Sequence, residues 1–147
     1  MVTMNANELI AIIADEQVVR AIQSAEASTS GELRVFVTDR SFEDPMAEAW
    51  KTFARLKMQN TAQRNAVLIF VSPKARKFAI VADEGIHHFC KEAFWSQLAQ
   101  QLSEGFKAGD YTGSLVCLIE DIGRALATHF PRSENDVNEL PDEVQRD

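Results

Sequence analysis

Two strongly apolar runs lie near the middle of the chain, and a short basic turn separates them. Residues 66–72 are almost continuously apolar, which is typical of a strand covered on both faces of a sheet. Residues 77–82 are equally rich in strand-forming side chains. The turn between them, which carries Pro73, Lys74 and Arg76, is too short for a crossover helix. The pattern therefore predicts an antiparallel hairpin with a solvated basic tip, at the centre of a small α/β domain.

Helical periodicity, with apolar residues three and four positions apart, marks the segments on either side of this hairpin. A capping signal marks the start of the last of these segments, and a stop signal marks its end. The predicted helices are residues 8–28 (one helix, or two with a break near Asp15), residues 46–58, residues 91–106, and a last helix that Asp110 caps and Pro131 ends.

A further strand is predicted ahead of the second helical segment. Residues 32–38 alternate between two faces, with Leu33 on one and Phe36 on the other. This strand, the helix at 46–58 and the strand at 66–72 form a βαβ unit, whose two strands run parallel with a right-handed crossover. The chain order is therefore α-β-α-β-β-α-α, around a small mixed sheet.

The composition fits one domain followed by a charged end. At 147 residues and 46% hydrophobic composition, the chain has enough apolar mass for a single core. Much of the net charge of −7 lies at one end, because residues 132–147 hold six acids and two Arg. We therefore predict a domain of residues 1–131 and an acidic C-terminal tail that is mobile or packed only through Val137 and Leu140. The acidic balance argues against nucleic-acid binding, which needs clustered Lys and Arg.

Targeting signals and membrane spans are not recognisable in the sequence. The N-terminus has no basic region followed by an apolar core, and no apolar run approaches the roughly 18 residues of a membrane span. These features predict a cytoplasmic protein without direct membrane insertion. Cys90 and Cys117 then fit reduced, buried thiols. Because every apolar stripe, including those of Trp50 and Trp95, is assigned to a core, we expect a monomer. The sequence leaves open whether the protein binds a protein partner.

Topology brings three segments to one edge of the predicted sheet. If the first two strands are parallel and the third returns antiparallel, the starts of the first two strands meet the end of the third. The side chains there include the oxygen ligands that Ca²⁺ and Mg²⁺ prefer. The alternative is that Asp83 and Glu84 are turn residues and that Arg64 neutralises Glu32. We name this edge the acidic rim, and it consists of Glu32, Arg64, Asn65, Asp83, Glu84 and Gly85.

The opposite edge of the sheet is the second choice for a site. Asp39, Glu43 and Asp44 follow the first strand there, and Lys74 and Arg76 come from the hairpin tip. Open α/β sheets bind ligands beyond the carboxyl ends of their strands, which favours this edge. The alternative is a solvated loop of mixed charge.

Motifs for other chemistries are weak. His87, His88 and Cys90 lack the second pair of ligands that a closed zinc site needs nearby. The sequence contains no Gly-x-Ser-x-Gly elbow, no Gly-x-Gly-x-x-Gly loop and no Walker sequence. The residues by themselves therefore indicate a binding edge without naming a substrate.

Five short motifs in chain order resemble the TPM domain family. The resemblance covers most of the chain and implies a three-layer α/β/α sandwich with a small Rossmann-like sheet, which agrees with the predicted element order. The last motif is similar to the tail of a soluble bacterial branch of that family. The motifs are residues 29–35 (TSGELRV), 64–70 (RNAVLIF), 83–86 (DEGI), 107–111 (KAGDY) and 136–143 (DVNELPDE).

The resemblance also implies a range of functions. Divalent-metal binding and acid phosphatase activity have been proposed in that family, and its members assist membrane complexes such as photosystem repair machinery or receptors. Relatives tend to show Gly where this chain has Ala66 and Ala82, so its backbone approaches a ligand less closely. Because the family motifs fall on the acidic rim, the implied site for Ca²⁺ or Mg²⁺ has Asp83, Glu84 and Glu32 as ligands and Arg64, Asn65 and Gly85 in support.

Three hypotheses of function follow. The first is a binding or regulatory module whose acidic rim holds a divalent cation weakly. The second is a metal-dependent phosphatase, in which a cation on Asp83, Glu84 and Glu32 polarises a phosphoryl oxygen while Arg64 orients it. The third is a metal-independent protein-interaction domain that uses the acidic tail.

Overall fold

The computed structural model describes residues 5–12, 15–132 and 144–146. Asp110 caps the last helix, as predicted. Within the described ranges, no helix is long and apolar enough to cross a membrane. The elements are α1 (Ala6–Ile12), α2 (Asp15–Glu26), β1 (Glu32–Val37), α3 (Pro45–Arg55), β2 (Ala66–Ser72), β3 (Lys77–Ala82), α4 (Glu84–Phe89), α5 (Glu92–Lys107), α6 (Tyr111–His129) and β4 (Gln145–Arg146).

The sheet has the strand order β3-β2-β1-β4. β1 and β2 are parallel, with Glu32 opposite Ala66, which confirms the predicted βαβ unit. β3 returns antiparallel to β2, with Val67 opposite Ala82, as the short turn between them requires. The mixed α/β fold predicted from the sequence is therefore confirmed.

The C-terminal tail contributes a strand that the sequence pattern does not predict. Gln145 lies opposite Phe36, and β4 runs parallel to β1 on the side away from β2. Val144 is partly buried against the core. A strand of two residues is too short to show a period, so the pattern of the tail could not reveal it. The predicted anchors Val137 and Leu140 lie outside the described residues.

Two apolar clusters, one on each face of the sheet, separate the molecule into three layers. Side chains alternate along a strand, so Leu33 packs into one cluster and Phe36 into the other. Residues of α1, α2, α4, α5 and α6 complete the larger cluster. α3 covers the smaller cluster with Ala49 and Phe53. The central strand β2 is buried on both faces, as its continuous apolar run indicates.

α4 is the helix that the sequence pattern misses. It begins directly after Asp83, whose side chain accepts a hydrogen bond from the backbone N–H of Glu84. The helix has six residues, which is too few for a clear period, and it contains Gly85, a residue type that disfavours helices. Asp83 and Glu84, which the alternative interpretation placed in a turn, are therefore the N-cap and the first residue of a helix.

The apolar stripe of α3 is only partly buried. Ala49 and Phe53 are buried, but Met46 is 46% exposed and Trp50 is 42% exposed. The assignment of Trp50 to the core is therefore wrong, whereas Trp95 is buried as predicted. α3 is the only helix that packs in the smaller cluster among the described residues, so it buries one side and leaves the other in solvent.

Candidate functional site

The register of the strands assembles the acidic rim as the topology predicts. Glu32 lies opposite Ala66, and the backbone N–H of Asp83 donates to the Ala66 carbonyl at 2.9 Å. These three residues form one row across three strands. The backbone N–H of Gly85 donates to the Arg64 carbonyl at 2.8 Å. The start of α4 is thus joined to the segment that precedes β2.

Arg64 binds the two carboxylates that follow β3. Its Nε donates to Asp83 Oδ2 at 2.8 Å and its Nη2 donates to Asp83 Oδ1 at 3.0 Å. Its Nη1 lies 3.4 Å from Glu84 Oε1. The hydrogen bonds to Asp83, together with the charges of Asp83 and Glu84, raise the pKa of the Arg64 guanidinium above its ordinary value. The sequence alternative named Glu32 as the partner of Arg64, and the structure corrects that partner to Asp83.

The two ends of this ion pair differ in their exposure to water. The Arg64 side chain is 45% exposed, whereas the Asp83 side chain is 5% exposed. Asp83 Oδ1 also accepts from the backbone N–H of Glu84 at 2.8 Å, and the Glu84 side chain projects into solvent. Water screens the pair on the Arg64 side, which limits its contribution to stability. Buried Asp83 nevertheless needs the guanidinium as its positive partner.

A neutral hydrogen-bond network continues the rim toward β1. Buried Asn65 donates from Nδ2 to Ser30 Oγ at 3.2 Å and to Gln63 Oε1 at 3.4 Å. Ser30 Oγ donates to the same Gln63 oxygen at 2.9 Å. Sequence reasoning missed Ser30 and Gln63. The signal that could have found them is position, because Gln63 directly precedes Arg64 and Ser30 lies two residues before Glu32.

Glu32 lies at the far end of the rim from the ion pair. It is 2% exposed, and the alternation of β1 places it on the same face as Phe36. Because neighbouring strands lie about 4.8 Å apart, the Cα atoms of Glu32 and Asp83 are separated by about 10 Å across Ala66. In residues 5–12, 15–132 and 144–146, no three His, Cys, Asp or Glu side chains form a group that could hold a metal ion. The rim therefore carries carboxylates, and the Arg64 guanidinium is the charge partner of Asp83 and Glu84.

The opposite edge uses its polar groups to build the loop before α3. Asp44 caps α3, since its Oδ1 accepts from the backbone N–H of Ala47 at 3.2 Å. Lys77 Nζ donates to the Glu43 carbonyl at 2.9 Å. Asp39 is half-buried. The structure thus gives Asp44 a structural role, and a ligand site at this second-choice edge stays a prediction.

The two cysteines lie in different surroundings. Cys90 is buried beside a concavity of about 650 Å³ between α4, α5 and α6, and burial raises the pKa of its thiol. In the same concavity the ring of Phe89 stacks on His129 with 4.5 Å between centroids. Cys117 is exposed, so the prediction that both thiols are buried is wrong for this residue. Position 117 falls on the outer side of α6, away from its apolar stripe.

The chain is similar to a known domain family and to a solved structure. The family is the TPM domain family, whose sequence model matches residues 6–125. The NMR structure of BA42 protein from the psychrophilic bacterium Bizionia argentinensis is 37% identical and has a TM-score of 0.83, and the match covers 90% of this chain and 92% of that one. No curated protein matches. The matched residues include the segments of the acidic rim, and they show that the chain belongs to the TPM domain family.

Proposed function

We propose that this TPM domain is a binding module in which a divalent cation replaces the Arg64 guanidinium at the carboxylates of Asp83 and Glu84. The observation that supports the proposal is the two-point ion pair between Arg64 and Asp83. A guanidinium held against two carboxylates marks the place where positive charge stabilises the rim. Because the Arg64 side chain is 45% exposed, it can move into water while Asp83 stays in place.

The oxygen atoms around the ion pair suit a hard cation. Asp83 and Glu84 supply carboxylates at Arg64, and Gln63 and Asn65, the residues on either side of Arg64, carry amide oxygens. Glu32, on the far side of Ala66, would join this ligand set only after a rearrangement, because the three carboxylates do not form a metal-binding group among the described residues. Ca²⁺ accepts irregular oxygen ligands, whereas Mg²⁺ requires near-ideal octahedral geometry and loses its water reluctantly. We therefore expect Ca²⁺ to bind more tightly than Mg²⁺, and both to bind weakly because they compete with Arg64.

An NMR titration of the metal-free protein with Ca²⁺, Mg²⁺ and Mn²⁺ tests the proposal. Amide shifts, and paramagnetic broadening by Mn²⁺, are followed residue by residue. Changes centred on Glu32, Asn65 and residues 83–85 support the rim as the cation site. Changes centred on residues 39–44 would move the site to the opposite edge. The absence of any change up to millimolar metal would contradict cation binding.

The variant Arg64→Gln tests whether the Arg64 guanidinium competes with the cation for the carboxylates or helps to hold the cation there. If the cation replaces the guanidinium, this variant is expected to bind Ca²⁺ several-fold more tightly, while Asp83→Asn loses the binding. Arg20→Gln is the matched control, because it removes a guanidinium from an exposed ion pair with Glu16 on α2. That control is expected to leave Ca²⁺ affinity unchanged. Weaker Ca²⁺ binding by Arg64→Gln would show that the cation does not replace the Arg64 guanidinium.

The other two hypotheses have their own measurements. Turnover of a generic aryl phosphate that disappears in Asp83→Asn would favour a metal-dependent phosphatase over a binding module. Binding of a protein partner that is lost on deletion of residues 132–147 would favour a metal-independent interaction domain. The cytoplasmic location predicted from the sequence stays a prediction.

A further inference from the structure

The concavity between α4, α5 and α6 lies at the opposite end of α4 from the acidic rim. α4 begins at the rim and ends at Phe89, which lines the concavity. The volume of about 650 Å³ falls within the range of roughly 300–1,000 Å³ that is typical of small-molecule sites. The apolar part of its lining includes buried Cys90 and Leu98 and half-buried Phe94. The concavity shares no residue with the rim, so a ligand bound here would be separate from the proposed cation.

Phe89 presents an ordered aromatic surface to this concavity. It is 48% exposed, yet its ring stacks on His129 with 4.5 Å between centroids. The ring also meets the Phe130 and His88 rings nearly at right angles, at 5.6 Å and 5.1 Å between centroids. These three contacts hold the ring in one orientation while about half of it stays in water. An aromatic ligand can pack on such a surface at little cost in side-chain entropy, and aromatic pairs gain more than their buried area alone provides.

The charged and polar side chains of the lining differ in whether they already have a partner. Arg124 is bound to Asp121 of the same helix. In the part of the chain that the structure describes, the side chains of Lys91, Gln97 and Gln101 have no hydrogen bond or ion pair. The lining therefore carries one positive charge that its own carboxylate does not neutralise, although the whole chain has a net charge of −7. This charge favours an anionic ligand, and the two amides can donate hydrogen bonds to it.

We propose that the concavity binds a small planar aromatic carboxylate, with its ring against Phe89 and Phe94 and its carboxylate at the Lys91 ammonium. Glu92 follows Lys91 in the chain but does not line the concavity. Because Lys91 is exposed, its attraction for the carboxylate sets the preferred charge of the ligand more than it raises affinity. A ligand of about 13 non-hydrogen atoms, bound with ordinary efficiency, has a Kd of about 1 mM.

Naphthoate is the probe for this class, and two matched compounds test its two parts. Naphthylmethylamine has the same rings and the opposite charge, whereas cyclohexanecarboxylate has the same charge and no aromatic ring. NMR titrations of the full chain measure the Kd of each compound and map the amide shifts. Naphthoate is expected to bind with a Kd of about 1 mM and to shift residues 89–101 and 121–129. Both matched compounds are expected to bind several-fold more weakly.

Two substitutions assign these preferences to single side chains. Lys91→Gln is expected to weaken naphthoate binding several-fold and to remove the preference for naphthoate over the amine. Phe89→Leu is expected to remove the preference for naphthoate over cyclohexanecarboxylate. Lys107→Gln, at the other end of α5, is the matched control for the charge. Trp50→Leu is the matched control for the ring, because Trp50 is 42% exposed on α3. Both controls are expected to keep the wild-type affinity.

Each of four results would overturn the proposal. The first is the absence of amide shifts at the concavity up to about 10 mM naphthoate. The second is equal binding of naphthoate and the amine, and the third is equal binding of naphthoate and cyclohexanecarboxylate. The fourth is a set of shifts around Trp50 as large as those around Phe89, which would show adsorption to any exposed aromatic side chain.

Discussion

The backbone N–H of Gly85 donates to the carbonyl oxygen of Arg64 at 2.8 Å, and this bond joins the start of α4 to the residue before β2. A Cβ at position 85 would lie 2.1 Å from the Gln63 carbonyl oxygen and 2.5 Å from that of Arg64. Arg64 itself has a left-handed backbone, with φ of 51°. The close approach of these two backbone segments places the Asp83 carboxylate against the Arg64 guanidinium. Gly85 therefore acts as a positioning residue for the ion pair.

Gly85→Ala is expected to lower the free energy of unfolding by about 2 kcal/mol or more, because its methyl group would collide with two backbone carbonyls. Urea denaturation measures the change. Gly109→Ala is the control. Gly109 has φ of 82° and nothing within 4 Å of an added Cβ, so its substitution costs about 1 kcal/mol through backbone conformation alone. Equal losses in the two variants would show that the approach at Gly85 is not tight.

Removing Arg64 and removing Asp83 from their ion pair are expected to lower the free energy of unfolding by different amounts. Arg64→Gln leaves a buried carboxylate without its cation, whereas Asp83→Asn leaves a guanidinium that is already half in water. Asn at position 83 can also keep the cap of α4, since its Oδ1 can accept from the Glu84 N–H. Arg64→Gln should therefore lower the free energy of unfolding more than Asp83→Asn. The reverse order in urea denaturation would mean that the buried Asp83 carboxylate does not depend on the guanidinium as its partner.

Cys117 and Cys90 are expected to differ in their reaction with an aromatic disulfide reagent. Exposed Cys117 should react quickly in the native protein. Cys90 is 7% exposed, and burial raises the pKa of its thiol, so it should react only when the protein unfolds. The native chain then shows one fast thiol, and Cys117→Ser shows none. Two fast thiols in the native chain would contradict the burial of Cys90.

The pH dependence of stability also reports on Cys90. Its folded pKa is raised above the ordinary value of 9.0, so the unfolded chain releases the thiol proton first as pH rises. This group therefore stabilises the fold fully below about pH 9, and its contribution falls as pH rises toward the folded pKa. The free energy of unfolding should fall more steeply above about pH 9 in the wild-type chain than in Cys90→Ala. Parallel curves for the two proteins would show that burial does not raise the pKa of this thiol.

The acidic rim could be predicted from the sequence because strand directions follow from the lengths of the connections. A four-residue turn permits only an antiparallel hairpin, and a helix between two strands makes them parallel. These two facts place Glu32, Arg64 and Asp83 at one edge, where the structure has them. Register sets which backbone segments meet, and hydrophobic pattern sets the register.

The pairing of side chains within the rim could not be predicted in the same way. Whether Arg64 binds Glu32 or Asp83 depends on its left-handed backbone and on the approach of Gly85, and neither leaves a periodic signal. The short helix α4 escapes prediction for a related reason, because six residues held in place by packing need little intrinsic helix propensity. The exposure of Trp50 depends on how many layers cover α3, which the period of that helix does not encode.

Gly123 of α6 packs directly against Ala25 of α2, and this contact can be tested by a double-mutant cycle. A Cβ added at position 123 would lie 2.7 Å from the Cβ of Ala25 and 3.2 Å from its Cα. Gly123→Ala is therefore expected to lower the free energy of unfolding by about 1–3 kcal/mol, although alanine favours helices over glycine by about 1 kcal/mol. In the background of Ala25→Gly the 2.7 Å contact is removed and only the 3.2 Å approach to the Cα remains, so the same substitution at 123 should cost less. Urea denaturation of the four proteins gives the coupling between the two sites. If Gly123→Ala costs the same in both backgrounds, the contact with Ala25 does not set the distance between α2 and α6.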